Sequence, residues 1–309
     1  MSRRRVLIAA LVAALLLAVP ACADAPREPT VVVTTNILGD VVRNVVGAEA
    51  AVTVLMGPDA DPHAFGVSAQ QAASLERAGL VVHNGLGLEE GVQRHVDAAR
   101  EAGVPAFAAA EAVDPVAFAS DCSAGRPDPH FWTDPQRVRR VVDLVADQVV
   151  AHVEGVDEAA VRRNAAAYGS AIDELDAQIT ARFAAIPAER RTLVTNHHVF
   201  GYLAQRYDFE VVGAVIPSGT TLASPSAADL ESLATAVREA GVPAVFADSS
   251  QPDRLARVLA DRAGLDVAVV PLHSESLSRE GGGAETYLQM MRANADAIAR
   301  ALTRPEAPR

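Results

Sequence analysis

Midway along the chain, Val161, Ala165, Tyr168, Ile172, Leu175, Ile179, Phe183 and Ile186 recur at spacings of three and four. That period marks one apolar face of a single α-helix. It predicts a helix over residues 157–186, stopped before Pro187 and roughly 45 Å long at 1.5 Å per residue. A rod of that length constrains the fold more than any other segment, because it divides the chain and resists hinging of the parts on either side. On both sides of it, short Val-rich runs alternate with amphipathic stretches. The runs before it are 30–35, 51–56, 79–83 and 104–108; those after it are 192–196, 210–216, 242–248 and 267–272. Such alternation builds βαβ units and a mostly parallel sheet. The expected architecture is therefore α/β: two lobes, each a mostly parallel four-stranded sheet with flanking helices, joined by one long rigid helix. The expected boundaries are an N-terminal lobe at 30–155, a linking helix at 156–187, a C-terminal lobe at 188–303 and a tail at 304–309.

The N-terminus is of another kind. Arg3, Arg4 and Arg5 precede an apolar run over 6–19 that ends at Pro20-Ala21-Cys22. A basic start, a short apolar stretch and small residues at its end read as a signal peptide over 1–21, which places the mature protein outside the cytoplasm. No later segment reaches the roughly 18 apolar residues needed to span a bilayer. Val19-Pro20-Ala21-Cys22 resembles a bacterial lipobox, in which Cys22 would carry lipid and residues 22–29 would tether the protein to the cytoplasmic membrane. The alternative is cleavage after Ala21-Cys22-Ala23, which removes the Cys. Loss of residues 1–21 takes away three Arg and no acid, moving the formal charge from −12 to −15. All 27 basic residues are Arg, and they form no stripe. This balance argues against nucleic acid and favours a cation as ligand. Cys22 and Cys122 are the only cysteines, too few for a thiolate metal site; Cys122 is a free thiol if Cys22 is lipidated, and a Cys22–Cys122 disulfide is open if it is not.

The chain has eight histidines. His83 ends a strand run, while His95 and His152 lie on amphipathic helical patterns, and these three read as structural or surface residues. His63, His130 and His197 lie instead in loops or directly after a strand. In doubly wound sheets ligands bind outside the carboxyl ends of the strands, so these three imidazoles can meet in one crevice. Pro62 and Pro129 restrict the backbone before two of them. Singly each reads as structural; together they favour a metal. Gly85, Gly87 and Gly91 mimic a dinucleotide loop, but the third glycine comes one position late, and a plain turn after a strand is the preferred reading.

In their context these residues resemble the solute-binding proteins of zinc and manganese ABC transporters, the ZnuA-like family, and within it the AztC-type zinc branch. The resemblance extends from Thr34-Thr35-Asn36-Ile37 to the last helix. It is carried by Asp61-Pro62-His63-Ala64-Phe65, Asn84-Gly85-Leu86-Gly87-Leu88-Glu89, Asp128-Pro129-His130-Phe131-Trp132-Thr133-Asp134-Pro135, Thr195-Asn196-His197-His198-Val199-Phe200-Gly201-Tyr202 and Ser274-Glu275-Ser276-Leu277, followed by Glu285-Thr286-Tyr287.

The resemblance implies that His63 and His130 of the first lobe bind metal with His197 and Glu275 of the second. His197 is preferred to His198 because the family places its ligand five residues before the Tyr matching Tyr202; His198 is then a supporting or surface group. His273, two residues before Glu275, is the competitor. Glu275 itself stands where Asp is usual. Three imidazoles and one carboxylate suit Zn²⁺, whereas Mn²⁺ prefers a set richer in oxygen. Because imidazoles must be neutral to bind, affinity is expected to fall below about pH 6.5. The implied role is a monomeric receptor that delivers zinc to an ABC permease in the cytoplasmic membrane and performs no chemistry. Many zinc-binding members carry a His- or acid-rich mobile loop before the second His, whereas residues 119–127 here contain no His, which leaves loop-assisted capture and supply by a zinc metallochaperone as open questions. The Ser-, Thr- and Gly-rich segment 217–225 is the expected mobile element. A secreted zinc hydrolase is one rival, needing an open coordination position and a general base; no His-Glu-x-x-His or Gly-x-Ser-x-Gly motif supports it. A metal-binding surface adhesin on the same fold is the other.

Overall fold

The computed structural model describes residues 29–119, 123–264 and 267–303. The signal peptide, Cys22, Cys122 and the tail lie outside the described residues. Eight strands form, each within the run expected for it: β1 (Thr30–Val33), β2 (Ala51–Val54), β3 (Leu80–His83), β4 (Ala106–Ala108), β5 (Thr192–Thr195), β6 (Glu210–Ala214), β7 (Ala244–Asp248) and β8 (Ala268–Leu272). They make two parallel four-stranded sheets, ordered β2-β1-β3-β4 and β6-β5-β7-β8. Val32 pairs with Thr53 on one side and Val81 on the other, which fixes the register of the first sheet. Val31, Val32, Val33, Leu80, Val81 and Val82 are all buried. A parallel sheet covered on both faces requires such unbroken apolar runs. The β1 ladder stops before its expected end because Thr35 turns the chain into the next helix, its Oγ1 accepting the Leu38 N–H at 3.4 Å as an N-cap.

Nine helices of more than one turn occur among the described residues: α1 (Asn36–Val46), α2 (Ala69–Arg77), α3 (Glu90–Glu101), α4 (Pro135–His152), α5 (Glu158–Ala184), α6 (Gly201–Tyr207), α7 (Ala227–Ala240), α8 (Arg254–Ala263) and α9 (Tyr287–Leu302). The 27-residue α5 is the long helix of the sequence. Asp157 caps it, Oδ1 accepting the Ala159 N–H at 2.9 Å. Its apolar face packs on α1 and α4 from the first lobe and on α9, which lies against β8. One continuous core therefore runs from Val31 and Leu80 through Ile172 and Leu175 to Phe246 and Tyr287. Two smaller clusters cover the outer sheet faces, one around Val81, Leu75 and Val96 and the other around Val245, Leu233 and Leu259. The helix is thus a wall shared by both lobes. Asp176 pins it in place, accepting from Gln136 of α4 at 3.0 Å, from the Tyr207 hydroxyl of α6 at 2.8 Å, and from Arg206.

His83 is buried at the end of β3, on the same sheet face as Val81 because side chains alternate along a strand. Neither ring nitrogen has a hydrogen-bond partner. Burial, reinforced by the nearby Arg100, lowers its pKa to about 4. The unfolded chain takes up this proton near pH 6.5 and the folded chain only near 4, so the fold loses stability as pH falls through that window. By linkage the loss is on the order of 2 kcal/mol between pH 7 and 4.5. Urea denaturation of His83→Leu should show this loss removed relative to the parent protein; an identical pH dependence in both would contradict it.

Candidate metal centre

The four expected residues all lie in loops between the regular elements. His63 lies in the loop after β2, and His130 precedes a short 3-10 turn at Phe131–Thr133. His197 is two residues past β5, and Glu275 three past β8. One nitrogen or oxygen from each of His63, His130, His197 and Glu275 lies within 4.8 Å of all the others. The Nε2 atoms of His63 and His130 are 3.4 Å apart. Glu275 places Oε1 3.0 Å from His197 Nε2 and 3.6 Å from His130 Nε2, and Oε2 3.9 Å from His63 Nε2. The rings stand tilted to edge-on, with centroids 5.3–5.5 Å apart. His198 and His273 are outside this group. His273 Nδ1 meets Ser249 Oγ at 3.1 Å, and the His198 backbone N–H donates to the Ser218 carbonyl at 3.0 Å.

All four side chains are buried, at 3% exposure or less. Even so, both carboxylate oxygens of Glu275 and both ring nitrogens of His197 have no hydrogen-bond partner. Buried polar atoms are nearly always paired, so a cluster of unpaired ones needs an explanation. Burial holds the His63 pKa down to about 2, keeps His130 well below its usual value and also lowers His197. Burial, with the charges of Asp248, Asp61 and Asp128, pushes Glu275 well above the carboxylate range. The imidazoles thus reject protons, while the carboxylate is destabilised as a lone anion. A cation between them relieves both conditions.

Local sequence explains how two of the imidazoles are aimed. In both Asp-Pro-His motifs the Asp Oδ1 accepts the His backbone N–H at 2.9 Å, Asp61 for His63 and Asp128 for His130. Such Asx turns are favoured by Asp before Pro. Asp128 Oδ1 also lies 2.6 Å from His130 Nδ1, which fixes the ring and leaves its Nε2 facing the cluster. Asp128 is in turn held through its carbonyl, which accepts the Tyr202 hydroxyl at 2.7 Å. Burial raises the Asp128 carboxyl to about 7.

The backbone before His130 has a second anchor. Asn84 Nδ2 donates to the Pro129 carbonyl at 3.0 Å. Gly85, Leu86 and Gly87 all have positive φ, and the turn they form directs the Asn84 and Gly85 N–H groups onto the Glu89 carboxylate at 2.9 and 3.3 Å. The anion in this Gly-rich turn is the chain's own Glu89. The sequence motifs contain Asp128, Asn84 and Glu89 but gave them no role, although the Asp two residues before each His was the available signal.

Glu275 follows the last strand of the second sheet but rests on the first lobe. Trp132 Nε1 donates to the Ser274 carbonyl at 2.9 Å. Asn36 donates to Ser276 Oγ at 2.7 Å and accepts the Leu277 N–H at 3.0 Å. The Asp59 N–H donates to the Leu277 carbonyl at 2.9 Å. Chain position alone gives no sign of this attachment.

Known proteins resemble this chain in both sequence and fold. Residues 31–301 match the family described as ZnuA, zinc-uptake complex component A, periplasmic. The zinc-binding protein TroA of Treponema pallidum is 32% identical over 286 residues, covering 91% of each chain. The manganese-binding lipoprotein MntA of Halalkalibacterium halodurans is 29% identical over 273 residues, 88% of each chain. The solved structure of the Treponema pallidum periplasmic zinc-binding protein superposes with a TM-score of 0.81 at 30% identity, covering 90% of this chain and 100% of that one.

Proposed function

Since the chain belongs to the ZnuA family of periplasmic zinc-uptake components, we propose that it is the solute-binding component of a zinc ABC importer, holding one Zn²⁺ between its lobes on His63, His130, His197 and Glu275. The observation that carries this reading is the meeting of four buried donors, several of them without any hydrogen-bond partner. A tetrahedral zinc ion about 2.0–2.1 Å from each donor sets the donors roughly 3.3 Å apart. The closest donor separations, 3.0, 3.4 and 3.6 Å, bracket that figure.

Relatives named for zinc and for manganese leave the metal open, so the donor set supports the choice: three nitrogens and one oxygen favour zinc over the harder manganese ion. Four protein donors also fill a tetrahedral sphere. A hydrolase would need one position for water, so the set supports carriage over chemistry. The protein works as a monomer, held at the outer face of the cytoplasmic membrane by lipid on Cys22, and passes its ion to the permease. Among the described residues no helix is long and apolar enough to cross a membrane.

Native mass spectrometry of the purified protein should show one zinc per chain, retained against an equal concentration of Mn²⁺. Asp128→Ala should weaken zinc by about 10–100-fold through loss of ring orientation, and His197→Ala by more. Manganese retained in preference to zinc would overturn the choice of metal.

The source of proton competition also differs from the sequence expectation. Burial disfavours the protonated form of all three imidazoles, whereas it raises the Glu275 pKa, so this carboxyl holds its proton to a higher pH than an ordinary glutamate. A group whose folded pKa is raised holds its proton as pH falls, so affinity declines with falling pH through Glu275. Calorimetry from pH 7 downward in buffers of different ionisation enthalpy should show proton release on zinc binding that grows as pH falls and is reduced in Glu275→Gln. Equal release from both proteins would assign the protons elsewhere.

A further inference from the structure

Glu275 is the one acidic member of the donor set, so with neutral imidazoles the set balances only one of the two charges of a divalent ion. A monovalent ion would leave the same cage neutral. A buried charge is costly unless something nearby compensates it. Preference for a divalent ion therefore calls for a carboxylate beyond the four donors.

Strand order places such a group between two of the ligands. In the second sheet β7 lies between β5 and β8, and it runs parallel to both. His197 follows β5 and Glu275 follows β8, at the same end of that sheet. β7 supplies no donor, but its last residue is Asp248, in register with Leu272 of β8. Asp248 is buried, at 3% exposure. Its Oδ1 accepts the Ser250 N–H at 2.7 Å and also the Ser250 hydroxyl, while its Oδ2 accepts the Ser274 hydroxyl. These partners are uncharged, so they leave the negative charge uncancelled. Ser274 stands directly before Glu275, and its carbonyl already accepts the Trp132 N–H. The ligand's neighbour is thus held from both lobes.

The other two acids near the site have different work. Asp128 lies against the His130 ring, and Asp61 holds the His63 N–H. Asp248 acts on the second-lobe pair: its charge is the foremost one raising Glu275, ahead of Asp61 and Asp128, and the foremost one opposing the effect of burial on His197.

We propose that Asp248 determines the charge preference of the metal site: set among neutral partners between His197 and Glu275, its carboxylate makes the buried cage favour a divalent over a monovalent cation, and through Ser274 it positions Glu275. The inference rests on the zinc-binding reading above and adds the basis on which ions of different charge are told apart.

The test compares Zn²⁺ with Ag⁺, a monovalent ion that also binds imidazole, by competition titration near pH 8. Asp248→Asn keeps the size of the side chain and its capacity to bond Ser250 and Ser274 but removes the charge. Zinc affinity should fall by about 10–100-fold, the range for loss of a group that supports a metal ligand. Coulomb energy scales with the charge of the ion, so silver affinity should fall by no more than the square root of that factor, about 3–10-fold. Asp248→Ser, a smaller neutral replacement, is read in the same way should the amide not fold. Ser274→Ala keeps the charge and loses the bond: its ratio of zinc to silver affinity should stay at the parent value, while the visible spectrum of its cobalt-loaded form should shift as Glu275 moves. Equal losses for both ions in the neutral variants, or no loss for zinc, would overturn the charge preference. A cobalt spectrum of Ser274→Ala identical to that of the parent would overturn the hold on Glu275. A parent protein that binds neither ion would instead overturn the metal-binding reading beneath the proposal.

Discussion

Three imidazole nitrogens and a carboxylate face one another inside this protein, and several of these atoms have no hydrogen bond to compensate their burial. Each unsatisfied buried polar group costs about 1–3 kcal/mol, more when it is charged. Protonation offers no relief to the imidazoles, because burial disfavours imidazolium at every one of them. A proton does neutralise Glu275, but it leaves the nitrogen lone pairs as they were. A divalent ion satisfies the whole set at once. The cluster is strained without its cargo and relieved with it, as a receptor requires.

The architecture keeps that strain from dispersing. Were the lobes free to separate, the donors would move apart into water. They share one core across α5, and Asp176 fastens that helix to both sides. The donors are therefore close to their binding positions before an ion arrives, and little ordering remains to be done on capture.

Much of this was legible in the residues. The Val-rich runs of β1 and β3 read as strands from their composition and bounds, and the three- and four-residue spacing from Val161 to Phe183 reads as a helix face. His63, His130 and His197 stood out because each follows a strand or a rigid Pro, and the structure does gather them. Glu275 was reached by resemblance alone, since spacing gave it no advantage over His273. What stayed hidden depends on contacts between distant residues. Asn36 and Ser276 are 240 positions apart and hydrogen bonded, so nothing local reveals that the Glu275 segment rests on the first lobe. The two Asp-Pro-His motifs read alike, yet Asp128 serves a ring while Asp61 reaches 160 positions along the chain to Thr221. The Gly85-Leu86-Gly87 segment reads as a plain turn after a strand, but that the turn seats the Glu89 carboxylate is seen only in the fold.

The most direct test of this account is zinc K-edge X-ray absorption on the loaded protein in solution. It predicts four nitrogen or oxygen neighbours near 2.0–2.1 Å, with the multiple-scattering pattern of three imidazoles. A six-coordinate sphere of oxygens, or a signal from fewer than three imidazoles, would contradict it.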